Sequence, residues 1–423
     1  MKRYLTRVIP GLLVTCAFFA GVQPLYAAGF YITEIGTPGS LGTAGAANPT
    51  NNLGADAAFT NPAGMTGLDG SMMTGGLQVI VPRNKFDTSR ADAGGKDGGN
   101  AGHALPVPSF FYVNKYSDRV RLGFSVVAPQ GGGVDYGDDF VGRYSTSKAI
   151  LGVIGFSPSV GYKVNDRFSI GGGVTALYTR FDTNIAINTA AIIPGSPDAK
   201  AKIENLTDWA WQPFVGLTYQ VTDRVMLGVV YRAKSNVDLD GDVNIRNWSL
   251  PLPKPKFNNA EVSWDNPQWL DAGLKIKIAD KDLLFLNGGW QDWSEFSKNG
   301  IAISGGAISV NTSIDRQLDD TWYARVGYAH TLTPESFLSM GISYDGSPVK
   351  DKHRTFDLPF DEYYKVSAGY GWKGKNKLDY AVGATLMLFG DAEIKQTSQG
   401  VTAAGEFDTN YTLFLGGTVR YQF

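Results

Sequence analysis

Apolar and polar residues alternate along much of this chain with a period of two. In the C-terminal segment Tyr411, Leu413, Leu415, Gly417, Val419, Tyr421 and Phe423 share one face. Thr412, Gly416, Thr418, Arg420 and Gln422 share the other, interrupted by Phe414. Val225, Leu227, Val229 and Tyr231 alternate in the same way, as do Leu338, Met340, Ile342 and Tyr344. Successive side chains of a strand point to opposite faces, so this period predicts strands. Soluble sandwiches alternate too, and the connections discriminate. Short turns fall at Tyr116–Arg119, Asn165–Arg167, Thr222–Arg224, Asp280–Asp282, Thr333–Glu335 and Lys373–Asn376. Long ones rich in Gly, Pro, Asn and Asp fall at Asn84–Ala104, Gln130–Lys148, Asp182–Asn205, Ser235–Phe257, Ser297–Leu318, Ser347–Phe360 and Asp391–Phe407. Alternating short turns and long loops are the pattern of an outer-membrane barrel, and the count predicts an all-β, 14-stranded antiparallel transmembrane β-barrel.

Composition is consistent with that reading. Of the 423 residues 43% are hydrophobic and 12% aromatic, with 52 glycines, yet the mean hydropathy is only −0.13. A barrel averages a lipid-facing apolar set with a lumen-facing polar set, so it looks soluble by hydropathy. No mature segment has the run of about 18 apolar residues that a spanning helix needs. Tryptophans near strand ends (Trp209, Trp211, Trp269, Trp290, Trp293, Trp322, Trp372) are expected to form interfacial girdles as a set.

Lys2, Arg3 and Arg7, the apolar stretch Val8–Ala20 and the small residues Ala27 and Ala28 read as a secretory signal over residues 1–27. The single cysteine, Cys16, lies within it. Net charge is −2 and no basic stripe appears, which excludes a nucleic-acid binder. The three histidines, His103, His330 and His353, lie far apart along the fold, and no G-x-S-x-G elbow is present, so we expect no enzyme, no cofactor and no metal site. Asp135, Asp138 and Asp139 read as a solvated acidic loop.

Residues 28–70 are small, polar and glycine-rich without a strand pattern, yet carry Phe30, Leu41, Leu53, Phe59 and Met65. A disordered tail lacks such residues. A wide barrel leaves a hole, so this segment is expected to fold into the lumen as a hatch ahead of the barrel at 71–423.

The motifs then resemble the FadL/TodX-type outer-membrane transporters of long-chain fatty acids and aromatic hydrocarbons. Ala28-Gly29-Phe30 is similar to that family's mature start, and Asn61-Pro62-Ala63 to its hatch motif. Gly142-Arg143-Tyr144, Gly155–Ser159, Tyr162–Asp166, Trp293-Ser294-Glu295-Phe296 and Asp345–Val349, followed by Arg354, Pro359 and Asp361, match in order. Tyr421-Gln422-Phe423 resembles a barrel-assembly signal. The resemblance implies capture of an apolar ligand by external loops, an internal pocket, and lateral release through a gap made by an inward kink of the third strand. Pro129, Gly131, Gly132 and Gly133 are the expected kink residues. Arg143, Arg180, Lys234 and Arg325 are candidate partners for a ligand carboxylate. The family's own basic contacts fall near Ile185 and Asp319, where this chain has no cation, which keeps neutral aromatic hydrocarbons open. The expected partners are a hydrophobic small molecule, outer-membrane lipid and lipopolysaccharide, and the assembly machinery, with the protein a monomer. A structural or adhesive barrel serving as a phage receptor is the alternative from another class.

Overall fold

The structure is a computed structural model describing residues 37–423 except 252, 306–308 and 360. Residues 1–27, expected to be a secretory signal, and Phe30 lie outside the described residues. Strands close into one antiparallel barrel. Its fourteen staves are β1 (Met72–Ala91), β2 (Leu105–Lys115), β3 (Val120–Asp135), β4 (Lys148–Lys163), β5 (Phe168–Ile187) and β6 (Ala199–Thr222). The next four are each broken once: β7 (Val225–Arg232, Ser235–Arg246), β8 (Asn259–Asn266, Trp269–Ala279), β9 (Asp282–Gln291, Lys298–Ser304) and β10 (Val310–Asp315, Thr321–Thr333). The rest are β11 (Ser336–Asp345), β12 (Tyr363–Lys373), β13 (Leu378–Phe389, Ile394–Ser398) and β14 (Val401–Gln422). β14 pairs with β1, from Met72 opposite Gln422 to Ala91 opposite Ala403, so the first and last strands close the sheet on itself.

Two opposite polarity patterns run up the wall. Near the short-turn end large apolar side chains point outward and stay exposed, among them Leu77, Val215, Ile342, Val366 and Leu415. A belt of this size is untenable in water and matches a lipid-facing band. Above it the pattern inverts. In Ser235–Arg246, Val237, Leu239, Val243 and Ile245 are buried while Asp238, Asp240 and Asn244 face solvent. The barrel therefore projects beyond the membrane as a sheet with apolar residues turned inward. This corrects several loop boundaries. Asn84–Ala91, Asp182–Ile187, Ala199–Asn205 and Ser235–Arg246, read as loop, are strand. Their acidic outer face disguised them.

The aromatic girdle is also corrected in part. Trp209, Trp211 and Trp322 project outward, whereas Trp293 is buried in the upper core and Trp269 faces inward against the Arg232 guanidinium.

Residues from Thr37 to Gly67 fold inside the barrel through short helical turns: Pro38–Leu41, Asn48–Thr50, Ala57–Thr60 and Pro62–Gly67. A girdle of wall glycines makes room. Gly161 stands opposite Gly171, and Gly171 opposite Gly216; Gly228 stands opposite Gly273, Gly327 opposite Gly341, and Gly369 opposite Gly383. Each is met on the lumen side by Leu41, Gly42, Thr43, Pro49, Asn61, Pro62 or Ala63. A β-carbon on Gly171 would lie 2.6 Å from the Ala63 nitrogen.

Asn61 is fully buried and explains why its motif takes this form. Its Oδ1 accepts the Ala63 N–H at 3.1 Å, and its Nδ2 donates to the Pro49 carbonyl at 2.6 Å and the Leu217 carbonyl at 3.0 Å. It caps the turn that Pro62 opens and ties both to the wall. Asn61→Leu strands one backbone donor and two acceptors, and should cost about 1–3 kcal/mol for each group left unpaired. Equilibrium unfolding of the refolded variant, with protease sensitivity of residues 37–67, measures the loss.

Candidate functional site

The inverted upper half encloses a cavity of about 160 Å³. Leu151, Phe181, Ile203, Val262, Trp264 and Phe296 supply much of its wall. Phe181, Trp264, Phe296 and Trp293 pack in sequence edge to face, with ring centroids 5.9 to 6.2 Å apart. Beside it, toward the external loops, a second aromatic cluster joins segments distant in sequence. Tyr136 stacks on Phe140 at 4.0 Å, Phe140 meets Phe356 at 5.0 Å, and Phe86 meets Phe356 and Phe407 at 5.2 and 5.3 Å. The Tyr136 hydroxyl donates to the Phe356 carbonyl at 3.0 Å. The cluster packs the loops that follow β3 and β11 against β1 and β14, and we refer to it as the lid. Arg354 pins the lid segment, pairing with Asp351 at 2.8 Å and Asp361 at 3.0 Å and donating to the Glu393 carbonyl at 2.7 Å.

Among the described residues one cation lines the cavity, Arg316. It forms a fork on Asp357, at 3.2 and 2.7 Å, donates to Thr355 at 2.8 Å, and its Nε bonds Asn299. Burial alone would push the Asp357 carboxyl up. The Arg316 charge and its hydrogen bonds outweigh that and hold it below the usual carboxylate range. A carboxyl lowered by folding adds stability above its ordinary pKa, and that stability is lost as pH falls through the lowered value. Pepsin cleavage of the lid should therefore stay slow down to about pH 4, the ordinary aspartate range, and accelerate only below it.

The cavity is bounded on one side by Gly132, Gly133 and Val134 of β3, where the wall is interrupted. β2 pairs with β1 from Leu105 to Val113. It pairs with β3 only from Phe110 opposite Val126 to Lys115 opposite Arg121. Among the described residues no ladder pair joins Leu105–Ser109 to β3. Higher up, the Asp135 N–H donates to the Ala101 carbonyl at 3.0 Å and closes the opening again. The result is a window in the wall. Pro106 and Pro108 fall on this free stretch, where strand prolines are tolerated because no partner needs their missing donor.

β3 leaves β2 at a bulge. Val127 lies opposite Gly155 and Gln130 opposite Val153, so three steps on β3 match two on β4. The extra residue lies in Ala128-Pro129. Gly131 and Gly133 are already paired again, with Gly152 and Ile150. Pro129 therefore sits in the bulge itself, and the glycines follow it. Gly133 is needed for close packing: a β-carbon there would lie 2.7 Å from the Ala149 carbonyl oxygen. Leu105, Val107 and Ala128 gather with Leu41, Ile80 and Phe414 into an apolar cluster beside the window. Phe414 breaks the polar face of the last strand for this reason.

None of the four basic residues expected to meet a carboxylate lines the cavity. Arg143 pairs with Asp198 at 2.9 Å and stacks on Tyr144. Arg180 pairs with Asp182 and Asn205 on the outer surface, and Lys234 with Glu295. Arg325 does face the lumen, but it is held by Asp345 at 3.4 Å and over the Tyr323 ring at 3.9 Å. Arg316 was missed because it lay in a stretch read as loop. Ile314 and Arg316 both line the cavity, and their spacing of two, running one residue past Val310–Asp315, could have marked Arg316 as inward-facing. The acidic residues Asp135, Asp138 and Asp139 are ion-paired to Lys148, Lys200 and Lys96. No cluster suited to a metal occurs among the described residues. At the end of the last strand the Phe423 N–H donates to the Ser71 carbonyl at 3.0 Å, and its ring meets Tyr421 edge to face at 5.0 Å.

Comparison with known proteins agrees with this geometry. The long-chain fatty acid transport protein of Escherichia coli O6:H1 is 22% identical over 424 residues, covering 93% of this chain and 94% of that protein. Outer membrane protein P1 of Haemophilus influenzae is 22% identical, covering 86% and 90%. A crystal structure of a Pseudomonas aeruginosa FadL homologue superposes with a TM-score of 0.84 at 22% identity, covering 94% of this chain and all of that one. The toluene transporter TbuX of Ralstonia pickettii superposes at 0.68 with 18% identity, covering 92% and 99%. The model of the outer membrane protein transport protein family (OMPP1/FadL/TodX) matches residues 18–423, and the chain belongs to that outer-membrane family.

Proposed function

We propose that this protein admits hydrophobic molecules, long-chain fatty acids first among them, through the outer membrane. The ligand enters beneath the aromatic lid, lodges in the apolar cavity, and leaves sideways through the window between β2 and β3. The observation that carries this reading is the contact between cavity and window: Gly132–Val134 belong to both. Lateral exit suits an apolar cargo, because each methylene kept out of water is worth about 0.8 kcal/mol. Residues 37–67 block the direct path below, so the barrel is not an open pore. No step calls for catalysis.

Arg316 is the cation placed to meet a carboxylate, with Asp357 as the group it would give up. Uptake of labelled oleate and of toluene by a deletion strain carrying this chain tests the proposal, and no gain in either would refute it. Arg316→Met should reduce oleate uptake about tenfold, as loss of one charge-assisted hydrogen-bonded contact implies, and leave toluene uptake unchanged. The neutralisation of Arg316 by Asp357 favours a second reading, a channel for neutral aromatic hydrocarbons. Under it, Arg316→Met changes neither uptake. In either case the outward aromatic end of β14 serves barrel assembly, the outer loops contact lipopolysaccharide, and the closed sheet works as a monomer.

A further inference from the structure

The inner wall beside the window carries a polar row that does not line the cavity. Ser125 of β3 stands opposite Ser157 of β4. The Ser157 hydroxyl bonds the Thr175 hydroxyl of β5 at 2.9 Å, and Thr175 stands opposite Gln212 of β6. One row higher, Gln130 of the β3 bulge stands opposite Val153, and Val153 opposite Thr179. Between the two rows runs an apolar one, Val127, Gly155, Leu177 and Ala210. All four polar members of the first row, with Gln130 and Thr179, are buried.

These groups are costly where they are. Burying an amide or hydroxyl without a partner forfeits its hydrogen bonds to water with nothing in return. Yet both amide atoms of Gln130 lack a hydrogen-bond partner, as do the Ser125 and Thr179 hydroxyls and the Gln212 amide nitrogen. Gln130 is 2% exposed and sits next to Pro129, at the point where β3 has left β2. Leucine or methionine would fill that volume without the desolvation cost. A carboxamide with both its donor and its acceptor open, beside the gap between β2 and β3, is suited to a head group that offers both in return.

We propose that Gln130 is a binding station for the head group of a carboxylic acid in its neutral form, occupied as the tail passes through the window. The amide N–H donates to the acid carbonyl, and the acid O–H donates to the amide oxygen. A carboxylic acid presents that donor and acceptor side by side. A low-dielectric site favours the neutral acid over the carboxylate. The station thus pairs with Arg316, which suits the charged form in the cavity above. It rests on the transport reading for its place in the path, but its chemistry can be measured separately.

The test compares binding of three fluorescent long-chain probes of equal chain length, an acid, its primary amide and its methyl ester, to the purified full-length protein in detergent. The acid and the primary amide carry both donor and acceptor; the ester has only acceptors. Gln130→Leu should weaken the acid and the amide about tenfold and leave the ester unchanged, as expected for removal of a buried hydrogen-bonding partner. Equal weakening of all three would show a packing defect and overturn the proposal, as would no change in any. Weakening of the acid alone would mean that charge is read, and would overturn it too. Thr179→Val, which changes the neighbouring wall with little change of volume, should leave the amide-to-ester ratio as it is; a change as large as that of Gln130→Leu would remove the assignment to Gln130. If cells carrying the unaltered protein take up neither fatty acid nor hydrocarbon, the transport reading falls, while these binding ratios still decide the station.

Discussion

Deleting Pro129 should abolish uptake while the barrel still folds. Three steps on β3 face two on β4 between Val127 and Gln130, so removing one residue restores an even ladder. The register of every other residue against β4 is kept, and Gln130 still points inward. With the bulge gone, β3 has no cause to swing away from Leu105–Ser109, and the window closes. Bulges bend a strand and end its pairing on one side, and this one does so where the cavity meets the wall. A fatty acid held in the cavity would then have to cross the polar face above residues 37–67. Exposing even two methylenes costs about 1.6 kcal/mol, which is already about tenfold in rate. The longer exposed tail of oleate should bring uptake to the level of cells without the protein. Heat-modifiable migration of the extracted barrel reports folding, and labelled oleate reports uptake. A folded deletion variant with normal uptake would eliminate lateral exit.

Gly228→Leu is expected to unseat the hatch and convert a plugged barrel into a conducting one. Gly228 and Gly273 face each other across β7 and β8 and enclose Pro49. A β-carbon at Gly228 would fall inside the Pro49 carbonyl oxygen, and backbone cannot yield as a flexible side chain can. Overpacking of this kind costs about 1–3 kcal/mol or more. At the level of Gly228 and Gly273 the wall is held by ladders to both neighbouring strands, so the hatch gives way first. Planar bilayers should show discrete ion currents from the variant and none from the parent, and residues 37–67 should become sensitive to protease. An unchanged, silent barrel would show that the glycine girdle is not the seat of the hatch.

The two expected effects arise from features that differ in how far the chain alone revealed them. The alternation of Leu413, Leu415, Val419 and Tyr421, and of Val225 to Tyr231, determined the strands, because a strand in a bilayer must send every second side chain into lipid. Tight turns such as Asn165-Asp166-Arg167 determined which end is short. Together they yielded the number of strands and the closed sheet. The apolar residues of the glycine-rich stretch 28–70 pointed to a hatch, and Asn61-Pro62-Ala63 did so only by resemblance to the family motif; the cap that Asn61 forms is visible only in the structure. The resemblance implied a kink at Pro129 and Gly131–Gly133; the register places the irregularity at Ala128-Pro129, before the glycines.

The ligand site was not legible in the same way. Whether alternating residues face lipid, water or cavity depends on height along the barrel, and height is set by how strands lie beside one another. In Ser235–Arg246 the inward residues are Val237, Leu239, Val243 and Ile245, the reverse of the membrane band, and only the tertiary structure shows where the reversal occurs. Trp293 and Trp209 look alike in sequence, yet one is core and the other faces outward. Arg143, Arg180, Lys234 and Arg325 each found a carboxylate partner, so being a cation near a strand end says little about being available. Arg316 meets Asp357 across forty-one residues. Ser125, Ser157, Thr175 and Gln212 form a row only because four strands register them side by side. Local period is written in the chain because it follows from backbone geometry. The cavity, the window and the polar row are produced by register and closure, which depend on all the strands at once.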